Sequence, residues 1–348
     1  MTLESKNVIH KLLSSTKCSD LLGGLAGPYG TSAPPHPVCL DSELSVQEGC
    51  AALAAHKISS APVYDAKAGG FVGMLDYRDL ATYVLEVFHK VPHSQVPVDA
   101  ELEITDIVKR AVMDRQGVPV KLVSNLSHRN PLVSVQASAP LIDAVEEFVR
   151  ARAHRVIVLE PTEDGGQRFI GVLSQSSISA YLASQFGKLS TNRALIGTWA
   201  LGEKTLADLG LVSGDVVSVT QEDTVLEALF TMHDRGVSSV AIVSRADGSS
   251  ALCGSIGMTD IKEILAHRGG WRRLFENVFR FFVELRSEQG LENGGNDRAP
   301  SFTVHPSTTL ISAIEKMSAT HTHRVWVVNN NGEVVGVVSL SDVMSRLL

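Results

Sequence analysis

One pattern recurs four times along this chain, and it limits the fold more than any other feature. Each copy holds a short apolar strand, a turn, a second strand carrying a glycine near its start, and a loop into a helix. The second strands and helix entries read FVGMLDYRDL from Phe71, FIGVLSQSSI from Phe169, LCGSIGMTDI from Leu252 and VVGVVSLSDV from Val334. Gly73, Gly171, Gly254 and Gly336 share one position. The preceding strands align without gaps: HKISSAPVYD from His56, RAHRVIVLE from Arg152, RGVSSVAIVS from Arg235 and HTHRVWVVN from His321. Upstream again, LIDAVEEFV from Leu141 and VLEALFTMH from Val225 space apolar residues by three and four, the period of an amphipathic helix. The predicted order in every unit is helix, strand, strand, helix.

A unit of roughly 50 to 60 residues is at the lower limit for burying its own core, so each needs a neighbour. Four units therefore predict two pairs in an α/β (α+β) fold. The expected division is an N-terminal extension over 1–35 and repeats over 36–90, 128–187, 208–270 and 298–348, with a helical linker over 271–297. The stretch from Gly23 to Pro37 and the segment LENGGNDRAP from Leu291 read as loops. The segment from His267 reads as an amphipathic helix with Phe275, Phe279 and Phe282 on one face and Arg272, Arg273 and Arg280 near it, packed on the repeats.

Charge and cysteine usage exclude several classes. A net charge of -7 argues against a whole-chain affinity for nucleic acid or for anionic membranes, so any anion site must be local. No run of apolar residues reaches membrane-spanning length and the N-terminus lacks a signal-peptide pattern, which predicts a soluble cytoplasmic protein, with the nucleus also open. Cys18, Cys39, Cys50 and Cys253 have no paired metal-ligand spacing and read as free thiols. His321 and His323 form an H-x-H, too little for a metal site.

The repeats resemble cystathionine-beta-synthase (CBS) domains. The most specific pieces are SAPVYD with FVGMLDYRDL, AHRVIVLE, and THTHRVWVV with GVVSLSDV. Their fourfold arrangement resembles the gamma regulatory subunits of AMP-activated protein kinase, which implies two paired (Bateman) modules in a flat disk with nucleotide clefts opening toward its centre. AMP, ADP or ATP would be regulatory ligands, with a kinase catalytic subunit and a scaffolding subunit as partners. Fungal four-repeat proteins that inhibit a phosphatase share similar repeats, so a phosphatase partner is also open.

The resemblance assigns the ribose hydroxyls to Asp79, Asp260 and Asp342, one position in units one, three and four. The same carboxylates suit helix capping, since Ser339 and Asp342 have capping-box spacing. Unit two has Ser177 there, which predicts a weak or vacant ribose site. His154-Arg155 and His323-Arg324 are the phosphate candidates: arginine offers a planar fork of donors, and histidine adds a hydrogen bond and, if charged, pH sensitivity. The plainer alternative for them is a solvated strand end or an ion pair. Units one and three carry Ser59-Ser60 and Ser238-Ser239 instead, which puts phosphate affinity in unit one in doubt. Ser174, Ser339 and Ser341 could add hydroxyls, whereas Gly257 leaves unit three poorer in donors. Ala61, Pro62, Val63 and Val156 could flank an adenine, although they are core-strand residues first. No dinucleotide-binding, P-loop, zinc-protease or nucleophile-elbow motif is present, and the repeats fill the chain, so a non-catalytic regulatory subunit is expected. A scaffold with little nucleotide dependence is the alternative.

Overall fold

The computed structural model describes residues 7–22, 37–89, 117–190, 201–212, 215–245, 250–265, 270–292 and 301–348. Each repeat has one more element than its sequence pattern suggests. A two- or three-residue strand opens the unit: β1 (Leu40–Asp41), β4 (Ser134–Gln136), β7 (Ser218–Thr220) and β10 (Thr303–Val304). These strands are too short for an alternating pattern to register. Each is followed by a helix of ten residues: α2 (Val46–Ala55), α5 (Leu141–Arg150), α7 (Val225–Asp234) and α10 (Leu310–Ala319). The helix crosses over to a central strand parallel to the first: β2 (Ser60–Asp65), β5 (Arg155–Pro161), β8 (Ser239–Ser244) or β11 (Arg324–Val328). An antiparallel hairpin then adds β3 (Gly70–Asp76), β6 (Gln167–Ser174), β9 (Ala251–Gly257) or β12 (Val334–Ser339). Four three-stranded sheets result.

The units close into a ring in the order one, two, four, three. Units one and two meet through their sheets, where the Phe71 and Phe169 rings lie 5.5 Å apart edge to face. Units three and four meet likewise around Ala241, Val243 and Trp326, with Ala251 bridging to Glu333. The helices bury the other two contacts. One core combines Leu53, Leu80 and Val84 of unit one with Leu229, Met232 and Ile264 of unit three; the other combines Val145, Phe148 and Leu182 of unit two with Ile314, Met317 and Met344 of unit four. This supports the paired-module architecture.

Segments that lie between repeats in sequence are structural parts of their neighbours. Residues 7–22, including α1 (Asn7–Ser15), dock on unit two: Cys18 and Ser19 donate backbone hydrogen bonds to Ala139 and Ala137. Residues 117–126, including the single turn α4 (Val120–Val123), dock on unit one through Val46 N–H to the Val118 carbonyl. Residues 201–212 dock on unit four, and 270–292 on unit three. Within each half of the chain, then, the segment preceding one repeat packs on the other.

This exchange explains the four recurring glycines. A Cβ on Gly73 would lie 2.6 Å from Ser124 Oγ and 3.0 Å from its Cβ; on Gly171, 2.8 Å from Leu22; on Gly254, 2.6 Å from Phe282; on Gly336, 3.2 Å from the Val212 Cα. Each glycine is where the docked segment crosses the sheet. Gly73→Val is expected to lower stability by about 1–3 kcal/mol, the usual cost of overpacking, read from the urea midpoint. A midpoint equal to that of the unaltered chain would contradict this role.

The segment from His267 is not one helix. Within it, a 3₁₀ turn (Gly270–Phe275) ends before α9 (Val278–Glu292), and the Asn277 side chain caps the latter by accepting from the N–H groups of Phe279 and Arg280. The break rotates the apolar face, so Phe281 and Phe282 are the buried pair while Phe275 is exposed. The stretches 23–36 and 293–300, within segments read above as loops, lie outside the described residues, as does 90–116.

Candidate functional site

The last strand of each unit, β3, β6, β9 or β12, leads into a helix, and the entries of units two and four touch through Ser341 and Gln175. The helices are α3 (Tyr77–His89), α6 (Gln175–Ser190), α8 (Ile261–Leu265, after a 3₁₀ turn) and α11 (Leu340–Leu347). Two residues before the strand-start positions of Ser59, His154, Ser238 and His323 the backbone turns left-handed, at Lys57, Arg152, Gly236 and His321, with φ between 51° and 64°. His321 is therefore an exposed helix-end residue.

The three aspartates all cap their helices, but their surroundings differ. Asp342 Oδ2 accepts from the Ser339 N–H at 2.8 Å and its hydroxyl at 2.6 Å, and among the described residues its Oδ1 has no partner. Asp260 Oδ2 accepts from the Gly257 N–H at 2.8 Å and lies 3.7 Å from Arg286 of α9, an approach invisible in the motif. Asp79 is fully buried and accepts four hydrogen bonds: from the Asp76 N–H (3.2 Å), the Ser127 N–H (3.1 Å) and hydroxyl (2.6 Å), and the Asn130 amide (3.4 Å). Burial and the Asp76 charge push its pKa up to about 7, against these hydrogen bonds, which favour the carboxylate. In unit two, Ser174 takes over the cap by accepting from the Ser177 N–H at 3.1 Å, and it also bonds the Ser176 and Ser177 hydroxyls.

The His-Arg steps cross between paired units. Arg155 donates to the Ser59 hydroxyl of unit one at 2.5 Å. Arg324 forks onto unit three, giving one Nη to Ser239 and the other to Ser238 at 2.7 Å. Ser59 in unit one and the Ser238-Ser239 pair in unit three, which stand at the His-Arg positions, are thus the arginines' partners. Ser341 donates to the buried Gln175 of unit two at 3.1 Å, so it joins units two and four. Of the serines nominated for phosphate, Ser174, Ser339 and Ser341 all have partners within the chain.

The motif comparison missed Arg78. It stands where units three and four have Thr259 and Ser341, and its charge reaches His154, Arg155 and Arg324. Burial, followed by the charges of Arg78, Arg155, Arg324 and His323, holds His154 down at about 3; burial, Arg155 and Arg324 hold His323 at about 4. At neutral pH both imidazoles are therefore uncharged, and the positive charge of the centre belongs to arginine. Any pH response of the histidines lies below neutrality, because the unfolded chain takes up their protons from about pH 6.5 downward. The histidines' contribution to stability is expected to hold above that pH and to decline toward pH 4, opposed over the same range by Asp79, whose raised pKa makes the folded chain keep its proton where the unfolded one loses it. A His154→Gln/His323→Gln variant should decline less in urea titrations; an equal decline would assign it elsewhere.

Ala61, Val63 and Val156 are core side chains at 1% exposure or below, and Pro62 is buried beside them. No group of three or more His, Cys, Asp or Glu side chains able to hold a metal ion occurs among the described residues.

The family profile described as CBS domain matches residues 34–86, 123–184, 206–267 and 298–348. Among curated proteins, the chain is 33% identical over 256 residues to Protein sds23 of Neosartorya fischeri, covering 74% of this chain and 44% of that one. It is 27% identical over 322 residues to Protein SDS23 of Candida albicans, covering 87% and 48%. The chain spans about half the length of the curated relatives it matches. Among solved structures, a Methanocaldococcus jannaschii protein proposed to be an archaeal homologue of g-AMPK superposes with a TM-score of 0.67 and 13% identity, covering 96% of this chain and 100% of that one. At that identity the likeness is one of fold.

Proposed function

We propose, from the premise that this chain belongs to the CBS-domain family, that it is a non-catalytic regulatory protein whose ring of four repeats binds a protein phosphatase and changes its activity. The observation that carries this reading is where the sequence likeness lies. Identity of 27–33% extends over 74–87% of the chain to fungal proteins, and its repeats resemble those of fungal phosphatase inhibitors; the kinase-subunit likeness is of fold alone. The site geometry fits a limited dependence on nucleotide: Asp79 is enclosed, Asp260 faces Arg286, and unit two offers Ser177 in place of a carboxylate.

A second reading has one specific observation in its favour. Asp342 keeps an oxygen without a described partner beside a cation-bearing centre, which suits the ribose and phosphate of AMP, ADP or ATP in a sensor for a kinase complex. The two readings separate in one experiment. The purified chain is added to a panel of phosphatase catalytic subunits, and dephosphorylation is followed with and without AMP or ATP. The first reading expects inhibition by the chain alone, with nucleotide moving the half-inhibitory concentration by less than about tenfold, a coupling below about 1.4 kcal/mol. Inhibition that appears only with nucleotide would favour a sensor.

A further inference from the structure

The two sheet-to-sheet seams of the ring use register-equivalent residues, yet only one of them is closed by the backbone. In every unit a bulge in the hairpin is followed by one residue pair: Tyr64 with Phe71, Leu159 with Phe169, Val243 with Leu252 and Val328 with Val334. Between units three and four these pairs are aliphatic, and the hairpins touch. Leu252 N–H donates to the Gly332 carbonyl at 3.1 Å and Val334 N–H to the Ser250 carbonyl at 3.2 Å, and Val243 is left 1% exposed. Between units one and two no backbone hydrogen bond joins the hairpins among the described residues. A row of rings stands there instead: Tyr64 meets Phe71 edge to face at 5.4 Å, and Phe71 meets Phe169 at 5.5 Å. The outermost ring, Tyr64, is 39% exposed. By register the Phe71 and Phe169 N–H groups match the two donors that close the other seam, so this seam has the donors without the bonds. Edge N–H groups beside an apolar row are what an added strand uses: the backbone gives bonds, and alternate side chains give specificity.

The charge at the hairpin tips narrows the occupant. Asp65 opens the β2–β3 turn, and the β5–β6 turn carries the exposed Glu163 and Asp164. None of the three has a cation within ion-pair distance among the described residues. The cations nearby are already engaged, Arg168 with Glu160, and Lys67 and Lys121 with Glu43. An apolar row flanked by uncompensated carboxylates complements a peptide that is apolar and basic. We infer that the seam between the hairpins of units one and two docks an extended peptide of a partner protein, apolar at alternate positions and carrying lysine or arginine between them, which adds as a strand along the seam and covers the rings. The inference places a partner's peptide; it holds whether or not that partner is a phosphatase and whether or not the ring takes nucleotide.

The test selects random peptides displayed on phage against the intact chain, and the recovered peptides are synthesised and titrated into it. The expected peptides alternate apolar and basic residues, and their binding shifts the amide resonances of Phe71 and Phe169. Tyr64→Ser, at an exposed position, should weaken them by about tenfold or more, as loss of an aromatic anchor does. Glu163→Lys/Asp164→Lys should weaken them several-fold at low salt and less at high salt, because exposed charges are screened; this variant carries the test if Tyr64→Ser does not fold. Recovery of no peptide, of acidic peptides, or of peptides that bind folded Tyr64→Ser and the intact chain equally would overturn the inference. Sedimentation velocity of the chain over a range of concentrations checks the other occupant: self-association that Tyr64→Ser abolishes would assign the seam to a second copy of this chain and overturn the inference in that way.

Discussion

Deleting residues 1–22 removes the cooperative unfolding of the half-ring built on units two and four. The segment supplies Ile9, Leu13, Cys18 and Leu21 to their shared core, all buried. It also supplies the backbone partners of Ala137, Ala139 and Leu141. Burial of one large aliphatic side chain stabilises by roughly 1.5–3 kcal/mol, so the three aliphatic residues alone amount to about 5–9 kcal/mol. A domain's whole stability is about 5–15 kcal/mol, so this loss is of the same size. Circular dichroism during urea titration should show the truncated chain losing its transition or having its midpoint shifted to low denaturant. Leu13→Ala, a milder change at a fully buried position, should cost about 2–5 kcal/mol. A truncated chain that unfolds at the full-length midpoint would mean that the segment is a passive extension.

The second large effect separates two aspartates that the repeat pattern treats as equals. Asp79→Ala leaves the Asp76 and Ser127 N–H groups, the Ser127 hydroxyl and the buried Asn130 amide without their acceptor. A buried polar group stripped of its partner costs about 1–3 kcal/mol, and several are stripped together, so the loss should reach several kcal/mol. Asp342→Ala removes a half-buried helix cap and should cost about 0.5–2 kcal/mol. Urea midpoints of the two variants read the difference directly. Equal losses would mean that Asp79, like Asp342, does no more than cap its helix.

These expectations mark how far the sequence could be read. The four glycines, the strand pairs and the helix entries were legible because each repeats at a fixed offset and has a period that matches its element. The opening strands were not, being two or three residues long, and neither was the exchange of docking segments, whose partners lie far along the chain. The aspartates were recognised by position, yet position does not say that Ser127 and Asn130 enclose one of them and that Arg286 approaches another. Arg78 differs from its counterparts Thr259 and Ser341, so a search for recurring residues passes over it; a search for a cation that breaks the pattern would have found it. Conversely, Ser59, Ser238 and Ser239 marked a missing His-Arg step in the sequence, and in the fold they are what the other units' arginines hold.

The most direct test of the regulatory reading is a measurement of association. The intact chain is titrated into a protein phosphatase catalytic subunit, for each member of a panel, and complex formation is followed by sedimentation velocity with and without AMP. The account predicts a discrete complex with at least one phosphatase in the absence of nucleotide. No complex with any phosphatase, together with a stable complex with a kinase catalytic subunit and its scaffolding subunit, would contradict it.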